Sequence, residues 1–321
     1  MRMIRFAPLV KGISTYLPAL SRGFSRDREN AEGTGSARYC YSIWLRHLVM
    51  MAQNHLPTQF DVVAELGPGN SLGVGLAALL SGVDRHYSLD VIDYTVNKSN
   101  VEIFDELTGL FQKRARIPDP TEFPEAKPFL SSYEFPSHIL TEDRLSQALK
   151  RERIESIRKS LLDLKKGSGD DTRIFYFVPW CDSKVIQEES VDLIYSQAVL
   201  EHVDDLERTY EALARWLKPN GIFSCQIDFR CHETASEWNG HWTYSDFVWK
   251  LIRGKRPYLL NRKPHSTHIE LLRKYGFEII CDIQFKIPSR IQKRHLASRF
   301  QNLSDEDLTT SGAFIQAIKK N

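Results

Sequence analysis

The stretch "DVVAELGPGNSLG", Asp61 to Gly73, decides the fold. Its first half is a short apolar run, the pattern of a buried strand, and it breaks on a glycine-rich turn. The turn fits neither common nucleotide fingerprint. A dinucleotide loop is spaced G-x-G-x-x-G, and here the third glycine, Gly73, comes one residue late. A phosphate-binding P-loop closes on Lys followed by Ser or Thr, and neither follows here. The next segment, "SLGVGLAALLSG", reads as a helix capped by Asn70 or Ser71. After it "RHYSLDV" reads as a second strand, ending at Asp90. Strand, glycine turn, helix and strand together open a parallel α/β sheet.

The same rhythm extends in both directions. Upstream, "ARYCYSIWLRHLVMMAQNHL" has apolar residues at helical period and is stopped by Pro57. Downstream, a helix is expected near Asn97 to Lys113, and then the periodicity fails in the proline-rich "IPDPTEFPEAKPFLSSYEFPSH". A charged helix over about 141–165 and the turn "KKGSGDD" complete what reads as an insertion or lid, about 114–170. Strands resume with "TRIFYFV" and "VDLIYS". A helix follows with Leu206, Tyr210, Leu213 and Leu217 on one face and Pro219 and Gly221 at its end. Then come the strand "IFSCQID", two helices, the second with Gly276 as its C-terminal cap, and the strands "FEIICDI" and "AFIQAI". That makes seven strands. The last two lack a crossover helix, which predicts an antiparallel pair at one edge. Residues 1–58 are expected to form an N-terminal arm and helical cap, and 59–321 the α/β domain.

Composition narrows the function classes. A net charge of +2 gives no case for nucleic acid as a general partner. Cys40, Cys181, Cys225, Cys231 and Cys281 form no C-x-x-C, which argues against a zinc ribbon or disulfide framework and suits a reducing cytoplasm. No apolar run reaches membrane-spanning length, so no stable membrane insertion is expected. The first 26 residues hold basic side chains and no acid. A transit peptide, a basic amphipathic segment and a partly ordered arm are all open readings of them, and a signal peptide is not expected.

Ligands of open α/β sheets sit outside the carboxyl ends of the strands. Gly67 and Gly69 lie just past such an end, where glycine lets a ligand approach bare backbone. Asp90 stands at the distance expected of a ribose-binding acid. Glu65 then favours one nucleoside over the others. An acid two residues before the first glycine repels a pyrophosphate but suits a cationic ligand, and S-adenosylmethionine carries a sulfonium, an amino group and no phosphate. Bracing of the loop by Glu65 is a second, compatible role.

With these residues in view, the chain resembles the class I S-adenosylmethionine-dependent methyltransferases, in their small-molecule branch (type 11-like). "VVAELGPGNSLG" is similar to their first motif and "YSLDV" to their second. "SVDLIYSQAVLEHVDD" resembles the motif at the fourth strand, and "LARWLKPNGIFSCQID" the Leu-Lys-Pro-Gly-Gly segment. The four stand in order over about 61–228. The resemblance implies a Rossmann-like, seven-stranded, mostly parallel sheet with the last strand antiparallel and helices on both faces. It implies that Glu65, Gly67, Gly69 and Asn70 line the methionine end, that Asp90 binds the ribose, and that Ser196 and Gln197 lie beneath the sulfonium. The family's acid after the third strand is displaced. Trp180 stands there instead, with Asp182 two residues on. Trp180 stacks on the adenine or belongs to the core, and Asp182 reaches the adenine amino group.

The implied activity is transfer of a methyl group to a small-molecule acceptor, a hydroxyl such as that of a sugar or a cell-surface polysaccharide precursor. The alternatives are a non-catalytic S-adenosylmethionine-binding protein and a nicotinamide-dependent oxidoreductase. A protonated nucleophile needs a base, and His202, His232 and His241 are the candidates. Asp228, His232, Glu233 and His241 have ligand chemistry but no recognised metal spacing, so no metal is expected. Trp238, Trp242 and Tyr244 offer flat faces for a sugar ring. The run Arg253, Lys255, Arg256, Arg262 and Lys263 suits an anionic acceptor. The helix with Arg38, Tyr39 and Trp44 is expected to cover the cofactor cleft.

Overall fold

The computed structural model describes residues 6–16, 33–91, 93, 99–164, 172–180, 182–256 and 258–320. Cys181, the turn at 165–171 and most of the basic arm lie outside them. Seven strands form one sheet: β1 (Val62–Leu66), β2 (Arg85–Leu89), β3 (Ile174–Phe177), β4 (Val191–Gln197), β5 (Leu217–Asp228), β6 (Phe277–Lys286) and β7 (Thr310–Lys319). Their order is β3-β2-β1-β4-β5-β7-β6, with β7 antiparallel to both of its neighbours and the other pairings parallel. The order reverses between β1 and β4, and the glycine turn leaves the sheet there. Asp192 at the start of β4 fastens the other end of β1, accepting from the amides of Asp61 and Val62.

β1 is buried on both faces, and its alternation sorts the core. Val63 packs with α2 (Ala37–Gln53), α3 (Gly73–Leu80) and α4 (Ser99–Gln112) on one side. Ala64 and Leu66 pack with α7 (Leu206–Trp216) and α9 (His265–Lys274) on the other. On α7, Leu206, Tyr210, Leu213 and Trp216 turn inward. Each such side chain contributes about 1.5–3 kcal/mol on burial.

Three elements depart from the sequence reading. α3 starts at Gly73 with Leu72 in the cap position and no side-chain cap bond, so neither Asn70 nor Ser71 is its cap residue. Ser71 Oγ still accepts from the Gly73 amide at 3.1 Å, and Asn100 takes the Leu72 amide. α7 ends at Trp216, before Pro219 and Gly221, because Leu217 is already extended (φ −67°, ψ 135°) and β5 begins there. The charged helix is two helices, α5 (Glu142–Ala148) and α6 (Arg151–Leu162), separated where Lys150 is extended (φ −56°, ψ 141°). No glycine or proline marks that break.

The proline-rich segment is packed rather than loose. Ile117, Ala126, Leu130, Ile139 and Leu140 are buried in the same cluster as α2. Arg46 of α2 is fully buried and donates to the carbonyls of Pro118 (2.9 Å) and Pro128 (2.6 Å). Tyr41 and Ser42 donate to the carbonyls of Ala115 and Pro118. Prolines remove backbone donors but keep their carbonyls, and here α2 supplies the missing donors. Part of the basic arm is also ordered: α1 (Phe6–Ser14) lies against α8 (Asp246–Arg253) and leaves Phe6, Val10 and Ile13 exposed.

Candidate functional site

Two cavities open at the carboxyl end of the sheet. The first, about 510 Å³, is bounded by Leu66, Gly67 and Gly69 after β1, Leu89, Asp90 and Val91 after β2, and Trp180 after β3. Ala198, Val199, His202 and Val203 after β4 complete it, with Arg208, Thr209 and Tyr258. The second, about 590 Å³, is lined by Tyr39, Glu125, Lys127, Phe129, Gln197, Gln226, Asp228, Arg230, Phe285 and Lys286. Ala198 belongs to both walls.

The glycine turn is shaped for close approach. Gly67 (φ +64°) and Gly69 (φ +72°) adopt left-handed backbone, and the Gly67 amide donates to the Leu89 carbonyl at 2.8 Å. A Cβ on Gly67 would stand 2.6 Å from Val199 Cγ2. Asp90 is nearly buried at the cavity wall, and the Val91 amide fixes its Oδ1 at 2.6 Å. Trp180 packs edge-on to Trp216 at 5.4 Å and also lines the cavity. Asp182 is exposed and caps the turn at Ser183–Val185 through the Lys184 amide.

Glu65 lies one residue behind the cavity wall. It is buried beside His86, 3.7 Å away. Burial pushes its carboxyl up to about 8, a hydrogen bond from Tyr195 partly offsets this, and Asp90 adds to it. The Gly75 amide also donates to it, so Glu65 braces the turn against α3. At the ends of β1 and β4, Glu65 Oε2, Ser196 Oγ and Gln197 Oε1 are buried with no hydrogen-bond partner. The unpartnered carboxyl and amide oxygens of Glu65 and Gln197 suit a cationic ligand, and the left-handed turn with Asp90 suits a nucleoside. The residues therefore fit S-adenosylmethionine. Asn70, whose amide donates to Thr34 Oγ1, is not in the wall of either cavity.

The three histidines part company. His202 lines the first cavity, with Nδ1 against the Tyr258 carbonyl at 2.8 Å and its ring 5.2 Å from that of His232. His232 faces Asp228 Oδ2 at 3.3 Å. His241 lines neither cavity. It is buried against Trp242, and burial first, then Arg262, pushes its imidazole down to about 3, so it is a poor base at neutral pH.

Other expectations also change. Trp242 and Tyr244 are buried in two small core clusters, with Trp238 packed on one of them, and none offers a face to a sugar. The basic run is occupied elsewhere. Arg262 is buried and held by Asp246 and the Tyr244 carbonyl, Arg253 pairs with Asp204, and Lys255 lies over Tyr16. Cations in the second cavity come instead from Lys127, Arg230 and Lys286, which the sequence reading did not single out. Of α2, Tyr39 lines the second cavity. Trp44 is buried on Ser81, and Arg38 pairs with Glu122.

A family model described as a methyltransferase domain matches residues 165–225, the stretch that contains β3, β4 and the start of β5. Among curated proteins nothing matches the sequence. Several solved structures are similar. A putative S-adenosylmethionine dependent methyltransferase from Listeria monocytogenes is 14% identical over 86% of this chain and 99% of its own, with a TM-score of 0.41. An S-adenosylmethionine dependent methyltransferase from Mesorhizobium loti is 16% identical over 88% and 98%, with a TM-score of 0.41. A putative methyltransferase from Haloferax volcanii, solved in complex with the Trm112 methyltransferase activator, is 16% identical over 86% and 90%, with a TM-score of 0.39. The family-model match, with the strand order, bears out the resemblance to class I S-adenosylmethionine-dependent methyltransferases. Residues 165–225 thus match a methyltransferase domain, which supports an enzyme that uses S-adenosylmethionine as its cofactor.

Proposed function

We propose that this methyltransferase carries a methyl group to a small acceptor seated in the second cavity, that the methylated atom is a hydroxyl oxygen, and that the acceptor is an anion or a sugar derivative. The observation that supports it is the pair of cavities sharing one wall at Ala198. Bound S-adenosylmethionine supplies a methyl group already activated on a sulfonium. The chain has then to hold two molecules in line and keep water out.

In this reading Gly67 and Gly69 give the methionine end room, and Asp90 accepts from the ribose hydroxyls. Trp180 offers its ring to the adenine, and Asp182, which lines neither cavity and caps the next turn, takes no part. Gln197 presents polar atoms to the acceptor from the second cavity's wall, while Ser196 is buried behind both cavities. Lys127, Arg230 and Lys286 favour a carboxylate or phosphate on the acceptor. Glu125 and Asp228 already pair with Arg230, so Lys127, held over Phe129 at 3.4 Å, is the cation best placed for an anion. A hydroxyl proton leaves toward the polar cluster where the ends of β4 and β5 meet.

The test is transfer of radiolabelled methyl from S-adenosylmethionine to a panel of hydroxy acids, sugar phosphates, neutral sugars and amines. The reading expects label on a hydroxylated anion or sugar, and expects Lys127→Ala to raise the acceptor KM with little change in adenosylhomocysteine affinity. Label on amines alone, or an unchanged KM in Lys127→Ala, refutes the acceptor assignment.

A further inference from the structure

β4 and β5 are parallel neighbours, so the turns leaving their carboxyl ends meet. The first carries Glu201 and His202, and the second carries His232. One ligand-type atom from each of these three side chains lies within 4.8 Å of the other two. Sequence spacing hides this set, because 29 positions separate His202 from His232 (231 − 202). The set also differs from Asp228, His232, Glu233 and His241, which have ligand chemistry in the sequence but no recognised metal spacing.

Each member is prepared in a way that packing does not require. Glu201 is 3% exposed. Its Oε1 accepts from the Asp228 amide at 3.3 Å, and its Oε2 is buried with no hydrogen-bond partner. Leaving such an oxygen unsatisfied costs on the order of 1–3 kcal/mol. His202 Nδ1 meets the Tyr258 carbonyl, so the proton sits on Nδ1 and Nε2 is the lone-pair nitrogen. His232 meets Asp228, and Arg230 grips that carboxylate with two nitrogens. A backbone carbonyl behind one imidazole and a carboxylate behind the other are the usual outer supports of metal-bound histidines. The chain also holds His232 (φ 42°) and Glu233 (φ 62°) in left-handed backbone, at about 1–3 kcal/mol each.

We propose that Glu201, His202 and His232 bind one divalent cation of the borderline class, with zinc as the reference ion. Two imidazoles and one carboxylate form a donor set that leaves a coordination position open. Ligand atoms about 2.0–2.1 Å from zinc stand roughly 3.4 Å apart in a tetrahedron, so the cluster has to contract by roughly 1.4 Å at its widest. His232 is partly exposed and can supply that movement by side-chain rotation. His202 lines the first cavity and Asp228 the second, so the ion lies at their boundary, where an acceptor oxygen can take the open position. The binding claim does not depend on which acceptor is methylated.

The test uses full-length protein stripped of metal with a chelator, then titrated with Zn²⁺ against a chromophoric competitor and with Co²⁺ by visible absorption. The expected result is one ion per chain, with cobalt bands of a four- or five-coordinate site. His232→Ala and Glu201→Gln are each expected to weaken binding at least 100-fold, while His295→Ala, an exposed histidine elsewhere, leaves it unchanged. Absence of a stoichiometric site, or equal affinity in His232→Ala and wild type, overturns the proposal. If Glu201→Gln fails to fold, the partly exposed His232 alone decides. Adenosylhomocysteine binding is measured on the same samples. Cofactor binding without metal overturns this inference alone, and metal binding without cofactor overturns the cofactor site alone.

Discussion

Neutralising Asp90 isolates the ribose contact. Asp90→Asn keeps the shape and one acceptor oxygen, so the bond from the Val91 amide to Oδ1, 2.6 Å in the wild type, survives. What changes is the second oxygen, which becomes an NH₂ donor facing a hydroxyl, and the negative charge. A hydrogen bond to a charged group contributes about 1.5–3 kcal/mol. Losing one of the two expected from the ribose diol therefore weakens cofactor binding by about 10- to 150-fold. Calorimetric titration with adenosylhomocysteine at fixed salt measures it. The thermal midpoint of the ligand-free variant, expected to stay within a few degrees, shows that the turn is intact. Affinity within threefold of wild type, at unchanged stability, would refute the ribose assignment and with it the reading of the first cavity.

Gly67→Ala introduces a Cβ 2.6 Å from Val199 in left-handed backbone, at about 1–3 kcal/mol for the backbone alone. Chemical denaturation is expected to show that loss together with weaker adenosylhomocysteine binding, and a variant equal to wild type in both contradicts it. Glu65 makes stability pH-dependent. Its carboxyl titrates near 8 when folded and near 4.5 when not, so the folded state holds the extra proton between those values and stability falls as pH rises through them, by up to about 1.4 kcal/mol per unit. Glu65→Gln removes that slope, so its stability relative to wild type should climb from pH 5 to pH 8, and parallel profiles would count against a buried carboxyl. Arg46→Met removes donors from the carbonyls of Pro118 and Pro128 and should cost about 3 kcal/mol, with new proteolytic cuts between Ile117 and Leu130. Cleavage and denaturation midpoints matching wild type would show that the segment is held by its apolar contacts alone.

The fold was legible where a local pattern carries it. Apolar runs ending in glycine or aspartate gave β1 and β2, and the inward stripe of Leu206, Tyr210 and Leu213 gave α7. The ends of elements were not, because Lys150 and Leu217 leave the helical region through tertiary packing and not through any breaker residue. Much of the first cavity's wall was readable because Gly67, Gly69, Asp90 and Trp180 lie within one turn of strand ends. The second cavity was not. Lys127 and Phe129 come from the proline-rich segment and Lys286 from the far end of β6, and only the folded sheet brings them together. Apolar and basic residues mislead for a related reason: Trp242 and Arg262 have the composition of a binding surface, yet Trp242 is buried in a core cluster and Arg262 is buried against its Phe300.

Arg46 hangs the proline-rich segment from α2 by backbone oxygens, and none of its three hydrogen-bond partners depends on the side chains at 119–127. A drift in sequence there can thus recolour the second cavity while its suspension stays in place. Such a chain can change its customer without rebuilding the counter, which makes the stretch around Glu125 to Phe129 the natural place to graft a new acceptor preference.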